Sequence, residues 1–200
     1  VEPALLSGLT DENATPYATW TYDPSALAAS SEHAGGVDRH TFVYQKDATG
    51  KMTGSTVTNP LAAVTQYQFE ELLGASRVST ISQPLVPGFT RRFTYDPSNG
   101  NLLSQTDFNG HLTLYTYDSR HLETQRIEAA GTPDARTTRT EWHPAWRLPL
   151  RIAEPLKRTT FTYDPAGNLL TRSEQATPDV NGSQGFAAPL VGSPRTWTWT

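Results

Sequence analysis

Four Tyr-Asp pairs, Tyr22-Asp23, Tyr95-Asp96, Tyr117-Asp118 and Tyr163-Asp164, each place a carboxylate directly after an aromatic ring. Such a carboxylate could serve as a general base or as an oxygen ligand for a hard cation. Four copies of the pair argue for another task. A catalytic group is needed once, whereas a carboxylate that opens every bend of a repeated unit reads as a turn cap, with its aromatic partner packed in a sheet. His33, His40, His111, His121 and His143 show no H-x-H, H-x-x-H or H-E-x-x-H spacing, and there is no cysteine. Zinc is therefore not expected, and thiol catalysis and disulfides are excluded. Gly-rich phosphate loops and G-x-S-x-G elbows are absent, so the expectation is a chain without catalysis, cofactor or metal.

The aromatics offer a second chemistry. Trp20, Trp142, Trp146, Trp197 and Trp199 could stack on sugar rings, and residues 141–146 (E-W-H-P-A-W) form the most conspicuous aromatic string. Trp142 falls where a repeated aromatic belongs and Trp146 lies beyond the bend, so both read first as packing residues. A carbohydrate-binding surface is the alternative.

The elements that position these groups emerge from residues 158–172, R-T-T-F-T-Y-D-P-A-G-N-L-L-T-R. Thr159, Phe161 and Tyr163 alternate with Arg158, Thr160 and Thr162, the period of a strand with one apolar and one wet face. Asp164-Pro165-Ala166-Gly167 supplies turn chemistry, and Leu169 onward returns as a second strand. A type I turn ending in a left-handed Gly167 is expected. The unit recurs. Its aromatic falls at Tyr22, Tyr44, Phe69, Tyr95, Tyr117, Trp142 and Tyr163, at spacings of 21 to 26 residues, the length of two short strands and two turns. Tyr44, Phe69 and Trp142 are weaker copies, followed by Gln45, Glu70 and His143 in place of Asp. Gly100 is the turn glycine after Tyr95-Asp96, in a turn one residue longer than that after Tyr163, and His121 replaces the glycine after Tyr117-Asp118.

Second turns join one hairpin to the next. Asn109-Gly110, in residues 107–110, favours a type I′ connection, and residues 59–62 (N-P-L-A) occupy the equivalent place earlier. Residues 59–74 carry helix signals, Asn59 as cap and Pro60 at the first position, yet the repeat phase asks for strands through 65–70 and 77–81, and strand is the reading adopted. Residues 25–36, rich in Ala and Ser, read as a loop or short helical turn in place of a returning strand, 129–136 as a loop, and 175–195 as a lengthened, partly mobile surface excursion. The fold class expected is all-β: meandering antiparallel hairpin repeats in a curved, twisted sheet. Residues 1–200 form one repeat region, incomplete at both ends, because 195–200 (R-T-W-T-W-T) repeats the lead-in to Tyr22-Asp23 and stops where the pair should come.

Composition agrees with thin sheets. A hydrophobic share of 36% is modest for a compact globule, and a net charge of −4 argues against a nucleic-acid partner. No apolar run approaches the roughly 18 residues of a membrane span.

These residues resemble the RHS, or YD-repeat, family. The Tyr-Asp-x-x-Gly-x-Leu core stands at residues 163–169, and segments 90–103, 106–123 and 140–152 look like further copies. The resemblance implies a stretch of a large bacterial protein whose β-ribbon forms a shell around a C-terminal toxin or effector. It also implies secretion or cell-surface delivery, for example through a type VI apparatus. Partners on this reading are the rest of the shell, the enclosed domain and secretion proteins, with glycans on the alternative one.

Overall fold

The computed structural model describes residues 5–86 and 88–199; the readings of residues 1–4 and of Thr200 lie outside them. The chain is all-β, and its strand order follows the sequence from β1 to β16, every neighbouring pair antiparallel. It divides into two compact units, one ending at Arg92 and the other beginning at Phe93.

The first unit contains β1 (Gly8–Thr10), β2 (Pro16–Tyr22), β3 (Ala28–His33), β4 (Val37–Lys46), β5 (Met52–Thr58), β6 (Val64–Leu72) and β7 (Ala75–Ser82), and the start of β8 (Thr90–Tyr95). Residues 25–36 depart from expectation. Ala28–His33 is a full returning strand, with Trp20 opposite Ser31 and Thr21 opposite Ser30, and only Ala34–Gly36 forms a 3-10 turn. Small side chains replace the usual apolar returning residues, and tertiary pairing overrides the helical propensity of Ala. Residues 64–72 and 75–82 are strands, as the repeat phase requires.

The second unit contains the rest of β8, then β9 (Leu102–Thr106), β10 (Leu112–Tyr117), β11 (Glu123–Glu128), β12 (Arg136–Trp142), β13 (Pro149–Glu154), β14 (Lys157–Tyr163), β15 (Leu169–Ala176) and β16 (Val191–Thr198). At Tyr95, Tyr117, Trp142 and Tyr163 the pairing slips by one residue: Thr162 pairs with Thr171, while Tyr163 pairs with Leu169 and leaves Leu170 as a bulge. A bulge beside a tip sharpens local twist and lets the aromatic and the first returning residue face each other.

Burial is thin throughout. Ala18, Leu122, Ala153 and Ala188 are the buried apolar residues, and no large side chain among the described residues is fully enclosed. A sheet with two partly wet faces needs few apolar residues, which is why 36% suffices.

Two turns correct the sequence reading. At 107–111 only Gly110 has positive φ (84°), and Gly110 N–H bonds to the Asp107 carbonyl at 3.1 Å. Type I′ would need Asn109 left-handed as well, so the tip is a type I turn closed by a left-handed glycine. The tight two-residue turn with both φ positive is instead Leu73-Gly74, at 53° and 76°, between paired Leu72 and Ala75. Phe69 consequently sits inside β6, away from a bend, and Glu70 caps nothing there; strand pairing continues past both to Leu72.

Residues 177–190 are a docked strap instead of a free surface excursion. Thr177, Asp179 and Ala188 are buried. The strap lies on the face of β12, β13 and β14 that carries Arg139, Ala153 and Arg158, which are opposite one another in register. Thr137 N–H donates to the Asn181 carbonyl at 2.8 Å and Leu156 N–H to the Asp179 carbonyl at 2.7 Å.

Candidate functional site: the capped hairpin tips

The repeated carboxylates share one geometry. Asp164 N–H donates to the Asn168 carbonyl at 2.9 Å and Gly167 N–H to the Asp164 carbonyl at 3.0 Å. Its Oδ1 accepts the Ala166 and Asn168 N–H groups at 2.9 and 2.8 Å. The residue three beyond takes φ of 89°. Asp23 repeats this with Ser25 and Leu27, and Asp118 with Arg120 and Leu122. Asp96 closes the longer loop, bonding Ser98 while Gly100 takes the left-handed position. In each, a short acceptor side chain satisfies amides that a reversing chain leaves unpaired.

Sequence reasoning placed turns at 59–62 and 107–110 without assigning their caps, and it missed the tips at Asp11 and Asp47. Asp11, Asp47, Asn59 and Asp107 accept the same i+2 and i+4 amides. The signal was an Asp or Asn three residues before a residue able to take positive φ: Gly50 and Gly110, but also Ala14 and Ala62, which hide it. Tyr44 lies three residues before Asp47, so the cap of that hairpin is Asp47 and not Gln45.

Tyr163, Trp142 and Tyr22 tie their hairpins to the chain before them. Tyr163 OH donates to the Pro149 carbonyl at 2.8 Å, Trp142 Nε1–H to the Glu123 carbonyl at 2.9 Å, and Tyr22 OH to the Leu6 carbonyl at 2.7 Å. Pro149 and Glu123 are the first returning residues of β13 and β11, so the two contacts are equivalent. An apolar body with a polar tip suits this stitch. Burial pushes the Tyr44, Tyr117 and Tyr163 phenols above the ordinary tyrosine range, helped at Tyr44 by Asp23 and at Tyr117 by Glu123.

The electrostatics oppose acid–base work by the caps. Hydrogen bonds from the Thr49, Ser98, His111 and Asn168 side chains and nearby amides hold Asp47, Asp96, Asp107 and Asp164 below the ordinary carboxylate range, and the Leu122 amide leads the same effect at Asp118. Such groups are poor bases near neutrality. Among the described residues, no three His, Asp or Glu side chains gather closely enough to hold a metal ion.

Folded values below the unfolded one mean that these caps contribute fully above about pH 4 and lose their contribution as pH falls through the depressed values. Thermal unfolding followed from pH 5 to pH 2 should show a falling midpoint. Asp164→Asn keeps the acceptor oxygen, as Asn59 does in its own tip, and should match the parent at pH 7 with a shallower acid slope. An unchanged slope would remove Asp164 from this account.

Trp197 is flanked by the Arg172 and Arg195 guanidinium groups, 5.3 and 4.7 Å from its ring centre. Trp199, 45% exposed, is the open ring of that pair.

The RHS Repeat family profile matches residues 95–137. No curated protein sequence matches the chain. Among solved structures, the fold is similar to the crystal structure of TcdB2-TccC3-Cdc42, at 14% identity and a TM-score of 0.60 over 82% of this chain. A Photorhabdus luminescens Tc holotoxin pore also matches, at 14% identity, a TM-score of 0.33, 94% of this chain and 13% of that one. The chain spans 9% of the TcdB2-TccC3-Cdc42 chain it resembles. The RHS Repeat match thus falls on the tips of Asp96, Asp107 and Asp118, and the same tip geometry recurs before and after them, at Asp23 and Asp164.

Proposed function

We propose that this chain is non-catalytic wall material of a larger bacterial RHS protein, whose β-ribbon encloses a C-terminal toxin or effector for secretion and delivery. One observation carries the reading: strands pair with their chain neighbours through tips of which many share one Asp or Asn cap, so surface is extended hairpin by hairpin with little buried core. The fold likeness to a structure that joins TcdB2, TccC3 and Cdc42 supports it. Partners on this reading are the rest of the wall, the enclosed domain and the secretion machinery.

Limited proteolysis of the full-length protein tests it. The C-terminal domain should resist cleavage while the wall is intact and become sensitive when β10 and β11 are deleted. Equal sensitivity in both would sink the proposal. Exposure of Trp199 favours glycan binding as the second reading; reproducible glycan-array binding lost in Trp199→Ala would establish that function instead.

A further inference from the structure

The geometry points to His143 as a pH-sensitive latch: its neutral ring closes the tip at 143–148, and its protonation releases that tip. His143 stands where the other tips described above place Asp or Asn. Its N–H donates to the Leu148 carbonyl at 2.8 Å, the same closure that Asp96 makes to Asn101 at 2.8 Å. The cap is the ring: Nδ1 accepts the Ala145 and Trp146 N–H groups, both at 3.2 Å. Trp146 then lies flat on the imidazole, ring centres 4.2 Å apart and planes 12° from parallel.

An imidazole nitrogen accepts only while it carries no proton. Once protonated, Nδ1 becomes a donor facing two other donors, so both bonds fail together. A carboxylate or amide cap has no such failure between pH 5 and 8, the interval in which histidine chemistry changes. His111 behaves oppositely. Its Nδ1 lies 3.0 Å from Asp107 Oδ2, a contact in which the ring donates and protonation does no harm.

The neighbouring tips supply the charged residues that pack against this one. From the 118–122 tip, Arg120 Nη1 donates to the His143 and Pro144 carbonyls at 2.8 and 2.9 Å. Arg120 Nη2 pairs with Asp118 at 3.2 Å. The backbone carbonyl of Glu123 accepts the Trp142 Nε1–H, so β11 packs against the strand that leads into this tip. From the following tip, Gly167 faces Trp146 and Leu148, and the Asp164 carboxylate beside it is occupied by Ala166 and Asn168. Arg147 adds a second cation within the loop itself. The released element is therefore one tip with its Trp146 stack, between two neighbours whose caps do not titrate in this interval.

Hydrogen exchange of the full chain at pH 7.5 and 5.5, corrected for intrinsic rates, is the test. The peptide spanning 143–148 should exchange about tenfold faster at the lower pH, the order expected for two neutral hydrogen bonds, while 164–168 stays constant. His143→Asn, an acceptor that does not protonate, should abolish the difference. Equal protection of 143–148 at both pH values in the parent, or an undiminished difference in His143→Asn, overturns the latch. If His143→Asn does not fold, His143→Asp takes its place with the same expectation, and the parent comparison alone still decides.

Discussion

Gly182→Ala should destabilise the second unit by about 2–4 kcal/mol, through backbone collision joined to an unfavourable left-handed alanine. A Cβ at residue 182 would lie 1.9 Å from the Thr137 carbonyl oxygen and 2.9 Å from its carbon, and φ there is +74°. Neither atom belongs to a flexible side chain. The strap can escape only by lifting from β12, which breaks the Thr137 N–H bond to the Asn181 carbonyl and pulls the Gly182 and Ser183 carbonyls away from Arg139 Nη1. Gly131→Ala is the matched control. Its φ is +82° with nothing within 4 Å of an added Cβ, so only the backbone cost of about 1–2 kcal/mol applies. Urea midpoints rank the two; a Gly182→Ala midpoint no lower than that of Gly131→Ala would show that the strap does not need this close approach.

That strap marks the boundary of what the sequence discloses. Period-two alternation through Thr159, Phe161 and Tyr163, followed by an Asp and a turn glycine, declares strand, bend and direction within fifteen residues, and serial copies then declare a meander. Those are local properties. Asp179 declares nothing of the kind: its carboxylate holds amides five and six residues on, its carbonyl accepts the N–H of the distant Leu156, and a Gly/Pro-rich stretch reads equally well as a loop in solvent. Leu73-Gly74 was hidden for a related reason, since a leucine in left-handed conformation follows from the fixed register of β6 on β7 and not from leucine's own preference. The tip at Asp11 was hidden, and the cap at Asn59 left unassigned, because alanine, at Ala14 and Ala62, occupies a position that glycine would have advertised. Phase errors at Tyr44 and Phe69 came from anchoring on the ring: the first hairpin is capped at Asp47, and the second turns at Leu73-Gly74.

Within the strap, Asp179→Ala should cost about 2–4 kcal/mol, the expected penalty for stranding two amides in a dry site. The residue is 3% exposed, and its Oδ2 accepts the Gln184 and Gly185 N–H groups, each at 2.9 Å. Gly185 is itself buried, so no solvent replaces the lost acceptor. Those two bonds set the bend that presents the Phe186 carbonyl to Arg158 Nη1 at 3.0 Å and the Phe186 ring to Arg151 at 4.7 Å. Asp179→Asn retains one acceptor oxygen and should lose less than half as much. If the strap docks as a unit, losses should not add: Arg139→Gln ought to cost clearly less in the Asp179→Ala background than in the parent, because the carbonyls that Arg139 holds have already moved. Urea midpoints for the two single variants and the double variant settle the matter. Strict additivity, or Asp179→Ala indistinguishable from Asp179→Asn, would mean that the aspartate and the arginine hold the strap independently and that residues 177–190 are not one cooperative element.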